Sequence, residues 1–489
     1  MNHRPLTYPL TCALVVWCAV VADVAAQTEA MDYGRIGFAG VITPIVTDYQ
    51  CVGINPANLG FQPETEVYTL STPLATGITR KRRAWSVGIG EAAVSVHSDA
   101  LARPDLFDAA TQTTSTTFTR EDQLKAAEAF ANKGLRFSVE GLGLGIAYQS
   151  QSWGGIAFTV REKVSGSFLF NESAAKLAFQ GRYFDYFDSV GVNWRGDSVG
   201  YARNPQRFST LFDGTRLGMT WYREFALSYG LRIVNTNDVD VYAGASAKYL
   251  TGYAFLDAEV RSGALVARSA LSPLFAIDYG NATTPSLIEG NAFVPVGQGF
   301  GFDFGLTARI GKRLTIAASV IDLGYVRWDG NVFQAKDTIL NGLSSEGFAS
   351  YNIFEEAPKI TGEGKFFIWE GLLDVIVDLP TRTRVGIAWQ HNKHWRIGLD
   401  AVVPGNAVAG ALGQPIVSAG VDYRPRVWLR LGTGIGNGGN MGTFIPVSVS
   451  FSLFGGLLET GIASRDIVTF FTTQRPVVSA VIGVVRARF

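Results

Sequence analysis

Fourteen segments of this chain alternate apolar with polar residues, and the intervals between them alternate just as strictly between long and short. The segments are 84–96, 135–149, 153–168, 216–234, 238–256, 297–310, 313–328, 382–391, 394–404, 413–423, 426–436, 442–454, 457–465 and 477–489. The intervals run 38, 3, 47, 3, 40, 2, 53, 2, 8, 2, 5, 2 and 11 residues. Successive residues of a strand point to opposite sides, so a period of two gives each segment one apolar and one polar face. Connections of two or three residues make consecutive strands antiparallel neighbours. A soluble sandwich shares the alternation but has no reason to put every short turn on one edge. Short turns at one end and longer loops at the other are the pattern of an outer-membrane barrel, and an even strand count brings both termini to the short-turn side. The expected fold is all-β: a transmembrane antiparallel β-barrel of about 14 strands spanning 84–489.

The side chains support that assignment. In 299–310, Phe300, Phe302, Phe304, Leu306 and Ile310 share a face opposite Asp303, Thr307 and Arg309. In 394–404, Trp395, Ile397 and Leu399 oppose Arg396 and Asp400. Gly311-Lys312, Asn392-Lys393, Arg424-Pro425 and Gly455-Gly456 supply turn chemistry at the short intervals. Trp389, Trp395 and Tyr423 lie on the apolar face beside these turns, where an aromatic girdle meets headgroups. The last strand turns Val481, Gly483, Val485, Ala487 and Phe489 outward against Val484, Arg486 and Arg488. Two residues fit less well. Arg223, in phase with Trp221, Phe225 and Leu227, points at lipid, and Pro446 removes a ladder donor, marking a bulge or a gap in the wall.

Lys+Arg and Asp+Glu balance at 42 each, which excludes nucleic-acid binding driven by a global positive field. A hydrophobic share of 47% excludes a largely disordered chain. Residues 1–26 read as a signal peptide for the general secretory route: Arg4, an apolar run Cys12–Val21 too short to cross a bilayer as a helix, then Val24-Ala25-Ala26. After cleavage Cys51 is the one cysteine, so the mature chain has no intramolecular disulfide. Residues 27–83 are rich in Gly and Pro, precede the first strand, and are long enough to enter the lumen as an N-terminal plug.

Asn55-Pro56-Ala57-Asn58-Leu59, shortly after the expected mature terminus and ahead of a fourteen-strand pattern, resembles the FadL family of outer-membrane long-chain fatty acid transporters. The chain looks closer still to uncharacterised FadL-like barrels that include relatives of the type IX secretion shuttle barrel. Trp221–Phe225, Ala247–Gly252, Asp322–Trp328 and Glu459–Asp466 carry the rest of the likeness. The resemblance implies that 27–83 plugs the barrel, with Asn55, Pro56, Ala57 and Leu59 as the plug motif; the family's usual Gly is Asn58 here. It transfers no ligand pocket. The terminal Phe489 resembles the signal read by the outer-membrane assembly machinery, which joins outer-membrane lipid as an expected partner.

Arg309, Arg382, Arg384, Arg396, Arg426 and Arg430 fall on the polar faces, together with Lys248, Asp303 and Asp400. These arginines either pair with acidic groups of the plug and neighbouring strands or attract carboxylate or phosphate groups. An amphipathic helix over Thr119–Asn132, with Leu124, Ala127 and Phe130 on one face, is placed to cover the pore mouth. Tyr183, Phe184, Tyr186 and Phe187 form a local aromatic cluster in the next long loop. Enzyme readings fare badly. His391-x-x-His394 sits on a tight turn with no third ligand, and no nucleophile motif accompanies His97, His391 or His394. The glycine runs Gly141–Gly145 and Gly432–Gly436 lack the Lys-Ser/Thr of a phosphate loop. No catalytic or metal-binding residue and no cofactor is expected.

The expected function is passive transport of small hydrophobic or amphipathic molecules across the outer membrane. Extracellular loops capture the ligand, and a plug rearrangement or a wall gap at Pro446 releases it. The alternative is a non-transport scaffold or partner barrel in protein secretion or outer-membrane assembly. A continuous apolar pocket from loops to plug would mark the first, and a polar, filled lumen with an exposed apolar loop ridge the second.

Overall fold

A computed structural model describes residues 40–61, 65–72, 75–102, 118–150, 152–194, 196–275, 277, 279, 282–290, 292–311, 313–351, 368–439, 441–468, 471 and 477–489. The expected signal peptide and the first residues of the expected plug lie outside them. Fourteen antiparallel strands close into one barrel. They are β1 (Trp85–Ile89, resumed at Glu91–Ser98), β2 (Gly134–Gln149), β3 (Gly155–Leu169), β4 (Arg216–Asn235), β5 (Val239–Arg261), β6 (Gly297–Ile310) and β7 (Leu314–Trp328). The circuit continues with β8 (Arg382–Gln390), β9 (Trp395–Pro404), β10 (Ile416–Arg426), β11 (Leu429–Gly438), β12 (Val447–Leu453), β13 (Leu458–Ser464) and β14 (Val477–Arg488). β14 pairs with β1, Arg486 opposite Gly88 and Val481 opposite Ala93. Beyond the strands, the Trp85 and Phe489 backbones exchange both of their N–H···O bonds, at 2.9 and 3.0 Å.

Lipid offers no water to an unpaired N–H or C=O, so a spanning sheet must close on itself. The side chains then sort by face. Phe300, Phe302, Phe304 and Leu306 are about half exposed on the outside of β6, whereas Asp303 and Thr307 between them are buried. Val385, Ile397, Leu399, Val417, Ile435, Ile462 and Ile482 continue the apolar exterior around the barrel. At the short-turn rim aromatic rings stack in pairs: Trp395 on Tyr423 with centroids 4.2 Å apart, Trp428 on Phe451 at 6.3 Å, and Trp153 on Tyr229 at 6.2 Å.

Three sequence expectations change. β10 runs through Arg424-Pro425 to Arg426, and the turn is formed by Val427-Trp428. The ladder to β11 shifts register between Tyr423 and Arg426, which accommodates the missing proline donor. Arg426 is therefore an exposed rim residue and not a luminal one. In β14, Val481 is buried inside and Ile482 exposed outside, yet Val485 is outside and Arg486 inside. A bulge against β13, between the pairs Glu459–Arg486 and Gly461–Gly483, inserts the residue that reverses the phase. Arg223 does lie on the outer face, but Glu162 of β3 meets its charge and also accepts from the Trp221 indole at 3.0 Å. The Tyr253–Phe293 stack, at 4.1 Å, lies alongside.

A cation placed in the apolar exterior has no such partner. Phe304→Arg is expected to lower stability by about 2–4 kcal/mol if residue 304 lies near the bilayer midplane, read from urea unfolding of the liposome-reconstituted barrel.

Candidate functional site: the filled lumen

Residues 40–61 lie across the inside of the barrel. Asn55 caps the short 3-10 turn Pro56–Gly60, its side-chain oxygen accepting from Ala57 N at 3.2 Å, and Pro56 enters with its φ already suited to the turn. The Asn55 amide donates to Thr43 O (3.2 Å) and to the Thr307 hydroxyl of β6 (2.8 Å). Asn58 donates to Thr43 O (3.0 Å) and Val46 O (2.8 Å), and accepts from that same Thr307 hydroxyl at 2.7 Å. Asn58 thus fixes the segment to the wall. Asn55, Ala57, Asn58 and Leu59 are fully buried, and Pro56 is buried with them. Small wall residues make this approach possible: a Cβ on Gly305 would lie 2.0 Å from Asn55 Oδ1, and one on Gly244 2.4 Å from the Pro56 carbonyl carbon.

Other wall strands hold the remainder of the segment. Ile42 and Thr43 N–H donate to Asp400 of β9 at 2.9 and 2.8 Å, and Arg384 Nε of β8 donates to the Thr43 hydroxyl at 3.1 Å. Gln149 of β2 donates to Leu59 O and Phe61 O. The Tyr49 hydroxyl donates to Glu91 of β1, and Arg486 of β14 pairs with Asp48.

Beside this segment, six consecutive strands each contribute one charge to a buried ring: Lys163 (β3), Glu224 (β4), Lys248 (β5), Asp303 (β6), Asp322 (β7) and Arg382 (β8). Lys163 meets Glu224 at 2.8 Å, Lys248 meets Asp303 at 2.7 Å as well as Asp322, and Arg382 reaches Asp322 at 3.3 Å. Three cations face three carboxylates, so the low-dielectric interior holds no net charge there. Sequence reasoning found Lys248, Asp303 and Arg382 but missed Lys163, Glu224 and Asp322. Glu162 and Lys163 are adjacent and point opposite ways, so periodicity alone does not say which is internal. Asp322 sits at a lapse in the wall: β7 pairs with β8 up to Ile321–Arg382 and resumes at Tyr325–Asp378 on the extension Val375–Asp378. Leu379 N–H to Gly324 O and the Thr381 hydroxyl to Asp322 O stitch the lapse.

The other arginines divide by depth. Arg384 is buried against the segment 40–61, and Arg430 pairs with Asp422 at 2.7 Å. Arg396 donates to Gln390 at 2.8 Å and Arg309 lies over the Phe61 ring at 4.8 Å, both facing the short-turn mouth. The ladder between β11 and β12 lapses at Ile445-Pro446, where the Thr433 hydroxyl of β11 donates to Pro446 O and the Ile445 N–H turns to Asp466 Oδ1 beyond β13. Phe489 is exposed at the rim. His394 Nδ1–H donates to the Arg424 carbonyl, 2.7 Å away, and among the described residues no three His, Cys, Asp or Glu gather as a metal site.

The long-loop end is closed by an aromatic cap. Helix α1 (Arg120–Phe130) starts in a capping box between Thr119 and Asp122, and Asn171 caps helix α2 (Glu172–Gln180) by accepting from Ala174 N at 2.7 Å. α1 buries Gln123, Ala126, Ala127 and Phe130. Leu124, expected on that face, is exposed because the turn is rotated to send the Gln123 amide to Glu346 O and Phe348 O. Phe184 and Phe187 are buried in the cap. Between α2, Phe208, Phe212 and the upper ends of β4 and β5 lies a cavity of about 60 Å³, lined by Phe170, Leu177, Phe208, Phe212, Leu217, Val260 and Leu265, with Thr215 as its polar edge. Asp337 anchors this wall, accepting from Ser209 N at 3.0 Å and Oγ at 2.8 Å. Burial pushes its carboxyl up, but the bonds from Ser209 and Arg207 outweigh burial and hold it below the usual carboxylate range.

Residues 78–456 match a family of unknown function, DUF5723. No curated protein matches the chain. Similar solved structures include the Pseudomonas putida toluene transporter TodX, at TM-score 0.44 and 11% identity over 95% of this chain and 99% of that one. The Ralstonia pickettii toluene transporter TbuX gives 0.44 and 14% over 94% and 99%, and a Pseudomonas aeruginosa FadL homologue 0.41 and 9% over 95% and 99%.

Two substitutions separate the parts of the filling. Lys248→Met leaves Asp303 and Asp322 short of a cation and is expected to cost about 3–5 kcal/mol in urea unfolding, partly recovered by adding Asp303→Asn. Asn58→Gly removes one of the segment's two bonds to Thr307, together with the Asn58 amide's bonds to Thr43 and Val46, without touching a barrel ladder; the expected result is faster protease cleavage within 40–61, at an unchanged barrel melting temperature.

Proposed function

Because the chain belongs to DUF5723, a family of unknown function, we propose from its own geometry that it is an outer-membrane barrel for passive passage of small hydrophobic or amphipathic molecules. The observation that carries this reading is the cap cavity, whose walls are almost wholly hydrocarbon and aromatic and whose volume suits a small apolar group. Below it an apolar layer built by Leu250, Phe255, Val326, Trp328 and Leu379 leads toward the ionic ring. A ligand captured in the cap partitions out of water into these two layers, favoured by about 25 cal/mol per Å² of apolar surface removed from water.

The ring and the plug close the axial route in this conformation, so release requires a rearrangement. Two places in the wall offer it: the lapse at Asp322–Gly324 beside Leu379, where the apolar layer meets the ring, and the lapse at Pro446. Nothing in this route consumes a cofactor or breaks a bond. Phe489 at the rim fits recognition by the outer-membrane assembly machinery after export.

A second reading, a scaffold for secreted or envelope proteins, calls for a polar, filled lumen and an exposed apolar loop ridge, and both have counterparts here. Val190, Val192 and Trp194 alternate along a loop hairpin (Ser189–Val192 with Ser198–Tyr201) at 52%, 70% and 87% exposure. Native mass spectrometry of the mildly extracted barrel, with lipid analysis, tests between them. Transport predicts a near-stoichiometric small amphiphile that is lost in Phe212→Lys, and uptake by proteoliposomes reduced about tenfold or more in that variant, equivalent to at least about 1.4 kcal/mol of binding. A barrel that carries no small molecule but retains a secreted protein, released by Trp194→Ser, would replace transport with the scaffold.

A further inference from the structure

A larger space, about 240 Å³, opens at the short-turn mouth between the plug segment and the rim. Among the described residues, five arginines and one carboxylate line it: Arg83, Arg309, Arg313, Arg396, Arg488 and Asp48. They come from five separate places in the chain, so barrel closure, and no local motif, gathers them. Asp48 offsets little of this charge, because its carboxylate is already engaged by Arg486, which does not line the space, and lies 3.5 Å from Arg488. Neutral groups hold several of the guanidinium groups in place. Arg83 donates to the backbone carbonyls of Arg488 and Gly455, Arg396 to the Gln390 side chain, and Arg309 stands over the Phe61 ring; Arg396 also faces Asp422 and Arg488 faces Glu459, carboxylates that Arg430 and Arg486 already engage.

The contrast with the rest of the lumen is the point. In the ionic ring, cations and carboxylates match one for one, and Arg430 and Arg486 meet Asp422 and Glu459. At this mouth the lining carries a surplus of positive charge around a concave space, where like charges repel unless an anion enters. Guanidinium groups present paired N–H donors that match the oxygen edges of carboxylate and phosphate. Gln149 and Gln390, also in the lining, add side-chain amides.

We propose that this mouth is a binding site for an oxyanion, a phosphate or carboxylate group, held chiefly by Arg309 and Arg396. The site is separate from the cap cavity and stands whether or not the barrel transports. The same chemistry has two sources, a free anion in the aqueous phase or the phosphate of a lipid headgroup drawn in at the rim.

Calorimetric titration of the full-length barrel in maltoside detergent with inorganic phosphate, against chloride at matched ionic strength, tests it before and after exhaustive lipid extraction. Saturable binding of one phosphate is expected, weakened at least tenfold in the Arg309→Gln/Arg396→Gln double variant and unchanged in Arg426→Gln at the exposed turn. Binding to the protein as purified assigns the site to a free anion. Binding that appears only after extraction, with one phospholipid per barrel in the native mass spectrum of wild type and none in the double variant, assigns it to a headgroup. Should the double variant fail to fold, Arg313→Gln, on an exposed turn, is expected to weaken binding in its place. Absence of saturable phosphate binding in both states, or equal affinity in wild type and the folded variants, overturns the proposal.

Discussion

Every backbone N–H and C=O in the hydrocarbon layer must find a partner within the protein, and most other features of this molecule follow from that requirement. It forces fourteen strands to close on themselves and leaves few permissible interruptions. Where the ladder does lapse, substitutes appear. Leu379 N–H and the Thr381 hydroxyl cover the open carbonyls of Gly324 and Asp322, and Asp466 and Thr433 do the same around Ile445 and Pro446. Both lapses fall where a side chain could take over a ladder bond.

The interior obeys a second, electrostatic form of the same rule. A buried charge is tolerable when its partner is fixed before it arrives. Neighbouring strands of a barrel supply such partners, since their register places facing side chains within reach. Six successive strands therefore sustain six charges in one layer. The luminal segment 40–61 relies on the same fixed wall in another way, using its Asn side chains and main chain against Thr307, Asp400 and Gln149, and glycines in the wall where the two backbones nearly touch.

Much of the barrel was legible in the sequence because two independent periods coincide, the two-residue alternation within strands and the long-short alternation between them. The two errors in the wall share one cause. A bulge adds a residue that periodicity cannot see, which is why the phase of β14 reversed at Val481–Val485 and why the β10 turn moved from Arg424-Pro425 to Val427-Trp428. An apolar turn at a lipid boundary, such as Val427-Trp428, looks like strand. The lumen was less legible for a different reason. Thr307 is 252 residues from Asn55, and the Glu162–Arg223 pair on the outside joins residues 61 apart. Such partners become neighbours only through the register of the closed sheet.

The position of Asp48 and Tyr49 has a consequence for assembly. Tyr49 reaches Glu91 of the first strand, while Asp48 reaches Arg486 of the last. These two adjacent residues thus straddle the seam where the chain's beginning meets its end. Their seat does not exist until β14 has docked on β1, so the segment that fills the lumen works as a clasp across the final joint. The segment's other anchors, Thr307, Asp400 and Gln149, lie on other strands, so a barrel left open at this seam would still hold the segment but would give Asp48 and Tyr49 no common seat.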